Sequence, residues 1–149
     1  MRKWSLIISS SLLGLGVALS AGATDVALPA GPIHDRHELM EGIGKSAKAL
    51  GEAAKAGDRA KAATAAASIQ ESAKKIPDLF PKGSTHPDSR AKPEIWESWD
   101  RFMELAKQLE AAAGNVVTVA EGEGELGATT GPLFATCKSC HDDFRVPEE

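Results

Sequence analysis

Apolar residues recur along this chain at intervals of three and four, the spacing of helices with one buried face. Leu39, Ile43, Ala47, Leu50 and Ala54 form one such stripe. It predicts a helix over 35–56, stopped by Gly57. Asp58 then caps a second helix running through Lys75, with Ala62, Ala65, Ile69 and Ala73 facing inward. Ile76-Pro77 ends it, because the residue before a proline is driven out of helical backbone. The segment PDLFPKGSTHPDSRAK (77–92) is dense in Pro, Gly and Ser and reads as a long loop. Leu79 and Phe80 are its apolar exceptions, expected to fold back onto the core. A third helix is expected from Pro93 to about Ala120. Ile95, Trp96, Trp99, Phe102, Met103, Ala106 and Leu109 give it a broad apolar face. EGEGELG (121–127) reads as a turn, and a fourth helix is expected from about Thr129 to Arg145. Gly131-Pro132 is expected to delay its start or kink it. No stretch alternates convincingly with the period of two that a strand requires. Four stripes with no other regular structure predict an all-α fold, an antiparallel four-helix bundle.

The N-terminal pattern differs. Arg2 and Lys3 precede a mostly apolar run from about Leu6 to Leu19, and Ala21-Gly22-Ala23 fits a small-residue cleavage site. This reads as a secretory signal peptide over residues 1–23, leaving a single domain over 24–149. The run falls short of the roughly 20 apolar residues that a membrane-spanning helix needs. Cleavage would remove two basic and no acidic residues, taking the formal charge from −4 to −6. An acidic exported domain has little with which to neutralise phosphates, so nucleic acid is not an expected partner.

Both cysteines of the chain lie in Cys137-Lys138-Ser139-Cys140-His141. A disulfide across this spacing would close too short a loop to stabilise much. A thioredoxin-type pair would need a βαβ context, and a zinc site would need more ligands than the scattered His34, His37 and His86 offer. C-x-x-C-H is the attachment sequence of covalent haem, the one chemistry that uses all three residues. On a helix, Cys137 and Cys140 share a face, so both sulfurs meet one haem edge while His141 turns onto the iron as proximal ligand. Phe144 lies on the same flank and is expected to pack near the porphyrin. Arg145 is either a cation at the helix C-terminus or a charge near the imidazole or a propionate.

The motif lies late, with only DDFRVPEE after it. A sixth ligand from the protein must therefore come from upstream. The candidates are Met40, Met103, His34, His37 and His86, with lysine less favoured. By periodicity alone Met40 reads as a core gap-filler, Met103 as core packing beside Phe102, and the histidines as exposed.

CKSCHDDFR (137–145) on the last helix of an exported four-helix domain resembles the class II cytochromes c, cytochrome c-prime and its low-spin relatives. RHELM (36–40) is similar to the Arg-x-x-x-Met/Leu element opening the family's first helix. LFPKGS (79–84) is similar to the loop after the second helix, and AKPEIW (91–96) to the start of the third. The Gly-rich segment 121–127 departs from the pattern. The resemblance implies a left-handed, often dimeric bundle in the periplasm of a Gram-negative bacterium. It implies His141 as proximal ligand, Met40 on the distal side and Arg36 near a propionate. In high-spin members the distal residue covers the iron without binding it, leaving room for NO or CO. In low-spin members a methionine ligates there, and the protein carries electrons. LMEGIG (39–44) and Pro132 are nearer the low-spin type.

Two functions follow as expectations. The first is a periplasmic one-electron carrier with haem c held by Cys137 and Cys140 and ligated by His141 and Met40, serving redox partner proteins. The alternative is a five-coordinate protein that takes NO or CO on an open distal face. An enzyme is not expected, since no acid–base constellation occurs upstream at a recognisable spacing.

Overall fold

The computed structural model describes residues 30–147. The expected signal peptide lies outside these residues. Helix α1 spans Pro32–Ala56, α2 Arg59–Lys75, α3 Glu94–Glu97, α4 Trp99–Glu121 and α5 Leu126–Phe144, with a 3-10 turn over Pro77–Leu79. The four long helices make the expected antiparallel bundle, and α3 is a single turn at its haem-motif end. Among the described residues no helix is long and apolar enough to cross a membrane.

The first helix begins at Pro32 rather than at Asp35. Proline presets helical φ at the first position, where its missing N–H costs nothing, and Asp35 N then bonds Gly31 O at 2.9 Å. It ends where expected. Gly57 takes φ 68°, its N–H reaches Ala54 O at 3.2 Å and Asp58 N reaches Ala53 O at 2.9 Å, a Schellman ending that a Cβ would strain. Asp58 caps α2 by accepting from Lys61 N at 3.1 Å, and its other oxygen pairs with Lys61 Nζ at 2.8 Å.

The expected third helix is broken. Ser98 interrupts it with φ −119° and ψ 45°, leaving the turn Glu94–Glu97 separate from α4. Partners outside α4 hold that turn: Trp96 Nε1 donates to Phe80 O at 3.0 Å, and Lys92 N donates to Phe144 O at 3.0 Å. Of the apolar face expected there, Ile95, Phe102, Ala106 and Leu109 are buried, while Trp96, Trp99 and Met103 are only half-buried.

The last connection is also shorter than expected. α5 starts at Leu126, three residues before Thr129, and Pro132 sits inside it. Proline there removes one intrahelical bond, but Leu126, Thr130 and Leu133 are buried on the face that α5 turns to the bundle. Thr129 Oγ1 also donates to Leu126 O at 2.9 Å. What shortens the turn is Arg59. From the start of α2 its guanidinium donates to Ala120 O at 3.2 Å and Gly124 O at 2.9 Å, and also to Val119 O and Gly122 O. It thereby satisfies carbonyls that the end of α4 leaves without partners.

The core is Leu50, Ala62, Ala66, Ile69, Ala113, Val116 and Leu133, all fully enclosed. Small residues on α2 let α4 approach closely, so α1–α2, α2–α4 and α4–α5 pack along their lengths. α1 and α5 touch much less. The bundle is closed on three sides and parted on the fourth.

Replacing the Asp58 cap tests the α2 start. The bonds from Lys61 hold the Asp58 carboxyl below its ordinary pKa of 3.8, so its contribution is fully present above that pH and is lost below it, as pH falls through the lowered value. Asp58→Ala is expected to melt below wild type at pH 7 in circular dichroism, with the difference vanishing in acid below pH 3.8.

Candidate haem site

The parted side holds a cavity of about 720 Å³ between α1, the 80–91 loop and the end of α5. A smaller, almost wholly apolar cavity of about 230 Å³ adjoins it deeper in the bundle. Met40, Gly44, Phe102, Cys140 and His141 line both, so the two form one continuous slot. Helix geometry explains the lining. Arg36, Met40 and Gly44 are four residues apart on α1, and Cys137, Cys140, His141 and Phe144 share one face of α5. Gly44 contributes no side chain opposite the motif and keeps the slot open.

Both cysteines are half-buried. Burial raises the Cys137 thiol above its usual range and, with the Asp143 and Cys137 charges adding, pushes Cys140 up to about 11. Reactive redox cysteines show the opposite shift, so a dithiol pair is disfavoured here on chemical grounds. His141 is exposed as a whole residue at the cavity mouth. Removal of its ring from water nevertheless lowers its pKa, and the charges of Arg145 and Arg90 lower it further. The neutral imidazole, the form that ligates metal, is thereby favoured. Arg145 caps the C-terminal end of α5 and its charge also acts on the imidazole, so the geometry is compatible with either role. Phe144 is buried, lines the large cavity and meets Phe102 edge-on with ring centroids 5.5 Å apart.

Arg36 is only 4 % exposed. Its Nη1 donates to Ser84 Oγ at 2.9 Å, and its Nη2 to Ser84 O at 2.9 Å and Ser89 Oγ at 2.7 Å. The guanidinium carbon lies 5.0 Å from the Phe80 ring centroid, a cation–π distance. Among the described residues no carboxylate pairs with it. A buried charge without a counter-charge is costly, and this one borders the large cavity. The slot therefore suits a flat apolar group that carries an anionic substituent.

Of the upstream candidates for a sixth ligand, Met40 and His37 line the slot, whereas Met103, His34 and His86 line neither cavity. His37 lies at the exposed rim with Nε2 3.3 Å from Glu41 Oε1. His34 pairs with Asp35, and His86 faces Asp88. Reasoning from sequence had passed over Ser84, Ser89, Phe80 and Arg90 as site residues. LFPKGS contained two of these, Phe80 and Ser84, as part of the loop, but nothing marked them as partners of an arginine 44 and 48 residues away.

The family profile described as cytochrome C′ matches residues 31–145. This chain belongs to the cytochrome c′ family. It is 34 % identical over 148 residues to cytochrome c′ of Rhodopseudomonas palustris, covering 97 % of both chains. It is also 34 % identical over 151 residues to cytochrome c-556 of Agrobacterium fabrum, again with 97 % of each covered. The solved structure of the Rhodopseudomonas palustris cytochrome c′ superposes with a TM-score of 0.72 at 33 % identity, covering 81 % of this chain and all of that one.

As a cytochrome c′ family member the chain carries one covalent haem c, attached through Cys137 and Cys140. The slot fits it: both cysteines line its deeper part, aromatic rings wall it, and a buried guanidinium borders it. Arg36→Met is expected to destabilise the protein by about 2 kcal/mol in guanidinium unfolding, since three hydrogen bonds are lost and their three half-buried acceptors are left behind. A change within error would mean that Ser84 and Ser89 do not depend on this side chain.

Proposed function

We propose that the protein is a periplasmic one-electron carrier in which His141 and Met40 hold the iron from opposite sides. One observation carries this reading: Met40 on α1 and His141 on α5 border both parts of the same slot, on facing helices. Haem c, when bound, supplies the ferric–ferrous couple. The protein's residues set its surroundings. Phe80, Phe102 and Phe144 exclude water from one edge, and Arg36 offsets a propionate charge. Arg145 and Arg90 keep the His141 ring neutral and available. Two protein ligands leave little geometry to change between oxidation states, which suits electron carriage better than catalysis. Export to the periplasm is supported by the signal-peptide pattern at residues 1–23 and by its low-acid composition. The partners proposed are periplasmic redox proteins. A homodimer, implied by the family, remains part of the proposal.

A second reading is favoured by the apolar depth of the slot. Beside Met40 the smaller cavity is lined by Ile43, Ala47, Leu105 and Phe134, with almost no polar surface. If Met40 only covers the iron, this space admits NO or CO without a hydrogen-bond donor to select between them.

The spectrum of the reduced protein separates the two. Ligation by Met40 predicts a six-coordinate spectrum, slow CO uptake, and conversion by Met40→Ala to a five-coordinate form. CO binding in that variant should be at least about tenfold tighter, the equivalent of about 1.4 kcal/mol of ligand competition removed. A five-coordinate spectrum in the wild type, unchanged by the substitution, would establish the gas-binding reading instead.

A further inference from the structure

A helix leaves its last four carbonyls without partners inside the helix. In α5 they belong to His141, Asp142, Asp143 and Phe144. His141 O accepts from Arg145 N at 3.0 Å. The other three are all bound by one residue 50 or more positions upstream. Lys92 N donates to Phe144 O at 3.0 Å, and Lys92 Nζ donates to Asp142 O at 3.0 Å and to Asp143 O at 3.2 Å.

The backbone around Lys92 is arranged for this. Pro93 follows it, and a residue before proline is driven toward extended backbone. Residues 90–92 accordingly run antiparallel to 144–146. Ala91 bridges Arg145, Val146 N donates to Arg90 O at 2.8 Å, and Arg90 donates back to Val146 O from Nε at 3.0 Å and from Nη2 at 2.8 Å. The Lys92 ammonium also stands at the negative end of the α5 dipole. This clasp closes on the turn that carries His141, and Lys92 makes most of its bonds to that turn.

We propose that Lys92 is a positioning residue for the proximal side of the haem, resisting withdrawal of His141 from the iron. A withdrawal of the imidazole that shifts the backbone of residues 141–144 works against three bonds from Lys92, two from its side chain and one from its backbone. The proposal rests on His141 being the axial ligand, as read above. It assigns to the loop before α3 a part in how firmly that ligand is held.

The test uses the haem-loaded protein. NO bound to ferrous haem weakens the bond to the opposite ligand, so stopped-flow mixing with NO reads the rate and extent of proximal release. Lys92→Met keeps the apolar stem and removes the donors; Lys92→Arg keeps both charge and donors; Lys92→Gln retains a shorter donor. Release is expected about fivefold faster in Lys92→Met, with amide exchange at Arg145 and Val146 accelerated to a similar degree. Lys92→Arg should stay close to wild type and Lys92→Gln fall between. Should Lys92→Met fail to retain haem, Lys92→Gln alone decides. A lowered melting temperature with unchanged release in either variant overturns the proposal, because the clasp is then only structural. His141→Ala separates the underlying reading. If its ferrous spectrum before NO is added matches wild type, His141 was never the ligand, and the positioning role falls with it. If it differs while the Lys92 variants release normally, the clasp alone is refuted.

Discussion

Everything in this structure depends on α1 and α5 being held apart over part of their length while the other helix pairs close. A bundle of four amphipathic helices would ordinarily bury all of its stripes together. Here the slot between Met40 and the haem motif is kept open by the absence of bulk at Gly44 and by walls braced from other elements. Phe102 comes from α4, Phe80 from the loop after the 3-10 turn, and Phe144 from the end of α5. Phe102 contacts both other rings, at centroid distances of 4.8 and 5.5 Å, so a single residue ties the walls together. The space is then filled by a group bonded to the chain, which completes the core that the helices leave unfinished.

Electrostatics follow from the same gap. The chain is acidic overall, yet Arg36, Arg90 and Arg145 all border the large cavity. Arg36 is held by serines rather than carboxylates, so its charge stays available to an anionic group. Arg145 and Arg90 act on His141 through their fields, adding to burial in keeping the ring neutral. Net charge therefore describes the outer surface, while the site is built from local cations. The two arrangements are compatible because an arginine at the rim can keep its guanidinium near water and its stem on apolar surface.

Much of the fold was legible because helical periodicity and caps are local. The Leu39–Ala54 stripe, the Gly57 stop, the Asp58 cap and the inward return of Phe80 all appear as expected. The departures arose where distant partners override local preference. Ser98 breaks the third helix although no proline or glycine marks the place, because Trp96 and Lys92 bind outside α4. The turn before α5 is shorter than its glycines imply, because Arg59 reaches across from α2 to cap α4. Pro132 lies within a helix whose buried face outweighs the missing bond. The site divides in the same way. CKSCH announced the haem and the family resemblance of RHELM directed attention to Met40 on α1, but Ser84, Ser89 and Lys92 carry no local sign of what they bind.

By itself the sequence determined the chemistry and the class of architecture: a covalent haem on the last helix, four helices, and a short set of upstream residues able to face the iron. These are properties of neighbours in the chain, where spacing decides which side chains share a face. Only the tertiary structure decided which upstream residues enter the slot, retaining Met40 and His37 and leaving Met103, His34 and His86 outside it. It also decided which charge is buried without a carboxylate and which lysine holds the end of the haem helix. Those outcomes depend on contacts between residues about fifty positions apart, whose geometry is set by packing and is not encoded in any local pattern.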